Sequence, residues 1–162
     1  MKIESLAISY GCPVLPRSPD LARDDTTSGA VLASVLEDYV FRETIDAVVC
    51  LHPTSPFRDS HDIDMACELF EGADRPYAAT CSVIDSKTHG NYMGLAGSWS
   101  NPRYKMNGAI YIIRADVLLE ERKHVPVDPF RILTPLMPKS RSLDIDDATD
   151  WAYAEGLMRA QT

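Results

Sequence analysis

The sequence predicts an α/β domain, a mostly parallel sheet with helices on both faces. Three observations carry this expectation. Ala47, Val48, Val49, Cys50 and Leu51 form a continuous apolar run bounded by Asp46 and Pro53, the pattern of a strand buried on both faces, as in a parallel sheet. Strand-like and helix-like stretches alternate along the chain, which implies a sheet with covered faces. The chain has 162 residues, 45% of them apolar and 25% charged, values of one ordinary globular domain long enough to bury roughly two thirds of its unfolded surface. Residues 1–162 are therefore expected to form a single domain.

Taken in order, residues 3–10 read as the end of an amphipathic helix stopped by Gly11, and residues 13–16 as a short extended piece. Val31, Leu32, Val35 and Leu36 recur at helical spacing within residues 28–39. After the strand at Ala47 to Leu51, Ser60 or Asp59 can cap a helix running through Met65 and Phe70. Residues 77–83 read as a second strand. Residues 87–106 are rich in Gly, Ser and Asn and lack a period, which predicts a loop or an arm reaching a partner. Residues 109–113 suit a strand, residues 116–122 a short helix, and residues 126–138 an extended segment broken by four prolines. Residues 147–159 close the chain as a helix with Trp151, Ala154, Leu157 and Met158 on one side. No internal repeat, linker or low-complexity segment is visible.

Charge and composition exclude several classes. A formal net charge of -8, with no block of Lys or Arg, argues against a nucleic-acid surface, which needs a basic footprint. No apolar run approaches the roughly 20 residues of a membrane span, and the N-terminus lacks the order of a signal peptide, so the expectation is a cytoplasmic protein. Cys12, Cys50, Cys67 and Cys81 are scattered without a C-x-x-C, and the histidines do not cluster near them, which argues against zinc. Cys50 and Cys81, inside apolar runs, read as small buried hydrophobes.

The chemistry concentrates near the C-terminus, in Ser142, Leu143, Asp144, Ile145, Asp146 and Asp147. In a strand, residues two apart point to the same face, so Asp144 and Asp146 at a strand end can converge on one hard cation. The competing reading is that they start the last helix, since acids favour helix N-termini; Asp147 and Asp150 fit that role better. Read with Asn107, Gly108, Ala109, Ile110 and Tyr111, and with His52, Pro53, Thr54, Ser55 and Pro56, the acidic stretch points to metal-assisted chemistry on a phosphorylated substrate.

Four ordered segments resemble the acylneuraminate cytidylyltransferases, the CMP-sialic acid synthetases. That family carries an R-P-x-x-L-A-x-D segment, an L-Q-P-T-S-P-L-R loop, an N-G-A-I-Y strand and an S-I-D-I-D metal motif. The counterparts here run from Arg17 to Asp24, from Leu51 to Arg58, from Asn107 to Tyr111 and from Ser142 to Asp146, covering essentially the whole chain. The resemblance implies a Rossmann-like nucleotide-diphospho-sugar transferase fold and transfer of CMP from CTP to an acidic nine-carbon sugar, with pyrophosphate released. It implies Mg2+ held by Asp144 and Asp146 as the catalytic and metal-binding pair, since magnesium takes one or two carboxylates plus substrate phosphates. Arg17 and Ser28 correspond to nucleotide-binding positions, and His52, Thr54, Ser55, Arg103, Asn107 and Tyr111 to substrate-binding ones. Plainer roles stay open for several: Ser28 as a helix cap, Arg17 as a solvated charge, Tyr111 as a core residue.

Three departures from the family pattern bear on these expectations. His52 replaces the loop glutamine that touches the sugar; histidine also hydrogen-bonds hydroxyls, so sugar preference is expected to differ. The arm before Asn107 is shorter than the family's, which leaves Arg103 as the nearest cation for the sugar carboxylate and bears on the homodimer that the arm builds. The chain also begins after the family's first strand, Gly-rich triphosphate loop, helix and second strand, a unit of 30 or more residues, or on the order of 40 to 50 here. The strand at Ala47 to Leu51 is accordingly expected to have an unpaired edge or to pair with another chain. A non-catalytic nucleotide-sugar-binding module that lost the triphosphate loop is the second function class. The pairing of N-G-A-I-Y with D-I-D resembles the sialic branch more than the branch that activates the eight-carbon acid of lipopolysaccharide. Which acidic sugar is used, whether sialic, legionaminic or pseudaminic, is open at this point.

Overall fold

The computed structural model describes residues 3–39, 44–84, 103–125 and 129–160. Among the described residues five α-helices and four strands follow in the order α1 (Ile3–Ser9), α2 (Ser28–Asp38), β1 (Ala47–Leu51), α3 (Ser60–Glu71), β2 (Tyr77–Ile84), β3 (Arg103–Arg114), α4 (Ala115–Glu121), β4 (Ile132–Leu133) and α5 (Ala148–Ala160). The strands form one sheet ordered β1-β3-β2-β4. Because β3 pairs antiparallel with both β1 and β2 while β2 pairs parallel with β4, β1, β2 and β4 share one direction and β3 runs against them.

Period-two alternation places the two cores. On one face Tyr111 and Ile113 of β3 join Tyr77 and Ala79 of β2, and α2 (Ala33, Leu36) and α4 (Val117, Leu118) cover them. On the other, Ile110 and Ile112 join Ala78 under Ala66 of α3 and under Met137. Helices thus lie on both faces, as the alternation of segments predicted. No helix among the described residues is long and apolar enough to cross a membrane.

Local signals explain where the helices begin and end. Gly11 adopts φ +75° after α1, a left-handed stop that glycine takes without strain. Thr27, rather than Ser28, caps α2 by accepting the Ala30 N–H (3.2 Å). Asp59 caps α3 in a reciprocal box: Asp59 Oδ1 accepts the Asp62 N–H (3.0 Å) and Asp62 Oδ2 accepts the Asp59 N–H (3.1 Å). Gly29 is buried where α2 meets the chain leaving α4. A Cβ there would lie 2.4 Å from the Arg122 carbonyl oxygen, so only glycine permits this approach.

Four expectations are corrected. β1 is not a parallel strand buried on both faces: it pairs antiparallel with β3, and Val49 and Leu51 are 39% and 40% exposed. An apolar run reports burial but carries no information about strand direction. The segment 87–106 is not all loop, because β3 begins at Arg103; there pairing with residues 82–84 of β2 outweighs the polar composition. Residues 87–102, including the dimer contact assigned to that arm, lie outside the described residues. The apolar side of α5 buries only Ala154 among its described residues, with Trp151 59% and Met158 58% exposed; helical periodicity does not guarantee a surface to pack on. Cys50 is half-buried, whereas Cys81 is fully buried; burial raises the thiol pKa of both, Cys81 to about 11.

Among the described residues β1 has a single neighbour, β3. Successive amides of an antiparallel strand point alternately to its two sides. Hydrogen exchange should therefore show slow and fast amides alternating through residues 47–51. Uniform protection along those residues would mean that the outer edge is covered in solution.

Candidate active site

The loop that follows β1 is folded onto β3 by one guanidinium. Arg58 Nη1 donates to the carbonyls of His52 (2.5 Å), Ser55 (3.1 Å) and Ala109 (3.3 Å). Burial lowers the Arg58 pKa, an effect opposed by Cys50. Within this loop His52 is half-buried and Thr54 exposed. Ser55 is fully buried, and its Oγ has no hydrogen-bond partner among the described residues. The Thr54 carbonyl accepts the Ile145 N–H (2.9 Å), which joins this loop to the acidic segment at 142–146.

Asn107 and Gly108 hold that segment from the other side. The β2–β3 ladder shifts register between Ala79 and Cys81, and side chains complete the interrupted pairing. The Thr80 hydroxyl donates to Asn107 Oδ1 (2.7 Å) and accepts the Ile110 N–H (3.1 Å), while Asn107 Oδ1 also accepts the Ala109 N–H (3.2 Å). Asn107 Nδ2 donates to Ser142 Oγ (2.9 Å), and Ser142 donates onward to the Pro138 carbonyl (2.8 Å). Asn107 is buried and spends these groups on the protein, so it positions the acidic segment. Gly108 has φ +73°, and a Cβ on it would lie 2.5 Å from Asp144 Oδ2. The carboxylate of Asp144 occupies the space that the missing side chain leaves.

Residues 142–146 are not a strand end but a segment without regular structure, so its aim comes from these tethers rather than from a pleat. Asp144 is half-buried, and its Oδ1 is buried without a partner among the described residues. Asp146 is exposed and its N–H donates to Asp150 Oδ2 (3.0 Å). Asp147 and Asp150 cap α5 reciprocally: Asp147 Oδ1 accepts the Asp150 N–H (3.0 Å) and Asp150 Oδ2 the Asp147 N–H (3.1 Å). The capping role therefore falls to the second pair of acids. No group of three or more potential metal ligands occurs among the described residues. A hard cation completed by substrate oxygens does not need one, and the orphaned Asp144 oxygen fits such an ion.

The stem of the acidic segment is fixed by an ion pair. Arg141, ending a 3-10 turn at Lys139–Arg141, donates through Nε to Asp62 Oδ2 (2.7 Å) and through Nη2 to Asp62 Oδ1 (2.8 Å). Asp62 is 1% exposed. These bonds hold its carboxyl below the usual carboxylate range, against the opposing effect of burial.

Three rings converge beside this segment. Tyr111 lies 5.2 Å from His52 and 5.2 Å from His124, edge-on to the latter, and the two imidazoles are 6.1 Å apart. Burial raises the Tyr111 pKa, with a further contribution from the Asp144 carboxylate. Burial, then His52, lowers that of His124. His124 had no signal in the sequence, since it lies outside all four motifs. Gly29 meets the backbone of Arg122 and Lys123, so the N-terminal end of α2, with half-buried Ser28, lies against the chain that leads into His124. Arg17 does not join the cluster in any described contact: it is exposed and lines a separate groove of about 370 Å³ with Leu15, Val31, Val35 and Tyr39. Arg103 opens β3; its side chain lies outside the described residues.

These loops gather at the carboxyl end of β1, where open α/β sheets bind ligands. The fold is that of a nucleotidyltransferase. The chain matches a solved CMP:2-keto-3-deoxy-manno-octonic acid synthetase complexed with CTP at a TM-score of 0.65 and 15% identity, over 98% of this chain and 77% of that one. It is 33% identical, over 97% of its length, to the CMP-N,N'-diacetyllegionaminic acid synthase of Legionella pneumophila, of which it covers 74%. It is 30% identical, over 93% of its length, to an N-acylneuraminate cytidylyltransferase of Escherichia coli, of which it covers 38%. No protein-family model matches it. The chain belongs to the acylneuraminate cytidylyltransferase family.

Two outcomes follow from this geometry. Gly108→Ala should lower stability by about 2 kcal/mol, as expected for a non-glycine residue held at positive φ with a carboxylate in its way; an unchanged urea midpoint would contradict the packing. Asp62 has a folded-state pKa below its unfolded value of about 3.9. Its contribution is complete above that value and is lost as pH falls through the depressed one. Acid titration of the wild type should therefore show a loss of stability below about pH 4 that is smaller in Asp62→Asn. Identical acid limbs would remove the ion pair from the account.

Proposed function

We propose that the chain transfers CMP from CTP to an acidic nine-carbon sugar of the sialic acid type, in the cytoplasm where CTP is made. The observation that carries this reading is the Asp144 carboxylate, seated on Gly108 with one buried oxygen unpartnered, beside Tyr111 and tied to the Thr54 loop. The names of the relatives support the same chemistry.

In that reaction the anomeric hydroxyl of the sugar attacks the α-phosphorus of CTP. A new P–O bond forms, the bond to the β-phosphate bridging oxygen breaks, pyrophosphate leaves and the hydroxyl proton is released. Positioning and charge neutralisation do most of the work in such a displacement. Asp144 and Asp146 would hold Mg2+, which when bound supplies neutralisation of phosphate charge. His52 and Tyr111 offer an imidazole and a buried phenol to sugar hydroxyls. Arg58, Asn107 and Gly108 keep the two loops at fixed separation.

Pyrophosphate release should be measured with CTP and a panel of sialic, legionaminic and pseudaminic acids. One sugar should support turnover, and Asp144→Ala should lower kcat/KM by about 100-fold or more, the equivalent of about 3 kcal/mol or more of lost transition-state stabilisation. No release with any sugar would remove the enzymatic reading, and retained CTP binding in that case would favour a binding module.

A further inference from the structure

We propose that Arg141, acting through Asp62, is the positioning residue that aims Asp144 at the reacting phosphate. The inference rests on the reading above and goes beyond it in assigning a task to an ion pair outside the motif carboxylates. Asp144 lies in a segment with no helix or strand of its own, so its direction is inherited from the points where that segment is tied down. Downstream, among the described residues, the Ile145 N–H donates to the Thr54 carbonyl (2.9 Å) and the Asp146 N–H to Asp150 Oδ2 (3.0 Å). Upstream, three residues before Asp144, Arg141 grips Asp62 with two parallel bonds of 2.7 and 2.8 Å and reaches Asp59 at 3.2 Å. Ser142, bonded to Asn107 at 2.9 Å, continues the same line.

The anchor itself is stiff. Asp62 is buried in the first turn of α3, and its Oδ2 also accepts the Asp59 N–H within the capping box. Cap, guanidinium and carboxylate therefore form one rigid unit at a helix terminus. A planar fork fixes direction as well as distance, which a lysine ammonium cannot do. Three residues span at most about 10 Å, so a small rotation at Arg141 reaches Asp144 with little slack to absorb it.

The test uses Mn2+ as a probe, with a non-hydrolysable CTP analogue present to supply the substrate oxygens and a protein-free sample as blank, counted by electron paramagnetic resonance, on the whole chain and on Arg141→Lys, Asp62→Asn and Asp144→Ala. Glu121→Gln serves as a control of stability alone, because it breaks the Tyr77–Glu121–Arg131 group (Tyr77 Oη to Glu121 Oε2 is 3.0 Å) away from the acidic segment. Arg141→Lys and Asp62→Asn, folded by circular dichroism, should each weaken Mn2+ binding about 10-fold, the lower end of what is lost when the groups that orient a metal ligand are removed. Glu121→Gln should leave it unchanged, and Asp144→Ala should abolish it. In turnover, Arg141→Lys should lower kcat with KM for CTP unaltered.

Mn2+ affinity in Arg141→Lys within threefold of wild type would overturn the inference, as would a wild type that binds no Mn2+ or an equal loss in Glu121→Gln. Pyrophosphate release by the wild type reports separately on the enzymatic reading. An active wild type with an indifferent Arg141→Lys sinks only this inference. An inactive wild type whose Mn2+ binding still depends on Arg141 sinks only the reading.

Discussion

The arrangement depends on a contact between a carboxylate and a backbone that has no side chain. Gly108, at φ +73°, leaves a gap on β3 that Asp144 fills. Asn107, the residue before it, buries an amide that satisfies Thr80, Ala109 and Ser142 at once. Two adjacent residues thus complete the ladder where β2 shifts register, and they receive an acidic segment from more than 30 positions downstream. Buried polar groups of this kind tolerate little alteration, because each unpaired one costs about 1 to 3 kcal/mol.

Much of the fold was legible because its causes are local. Asp59 announces α3 through a capping box, Gly11 ends α1, and the run from Ala47 to Leu51 is a strand at the expected bounds. The direction of β3 was not legible, since antiparallel and parallel neighbours bury the same valines and isoleucines. Nor was the length of β3: its first residues are polar, and pairing across the sheet makes them a strand.

The site was legible in its motifs and illegible in its connections. Asp144, Tyr111 and His52 stand in segments that sequence alone singles out, and the structure brings His52 and Tyr111 together at 5.2 Å. Arg58 ends one of those motifs, yet its grip on three carbonyls emerges only once the loop is folded. His124 and the Arg141–Asp62 pair lie outside any spacing pattern. Their partners are distant in the chain, and distance in the chain hides contact in space. The expected pleat at Asp144 and Asp146 failed for the same reason, because tethers from α3, β3 and the Thr54 loop replace it.

The ring cluster divides labour between the sheet and its loops. Tyr111 belongs to the buried sheet and is constrained by both neighbouring strands, whereas His52 and His124 come from connections outside it. Exchanges at the two histidines would therefore change the outer wall of the cluster while the strand pairing around Tyr111 stays in place. The part of the cluster that can vary and the part that cannot are thus carried by different segments of the chain.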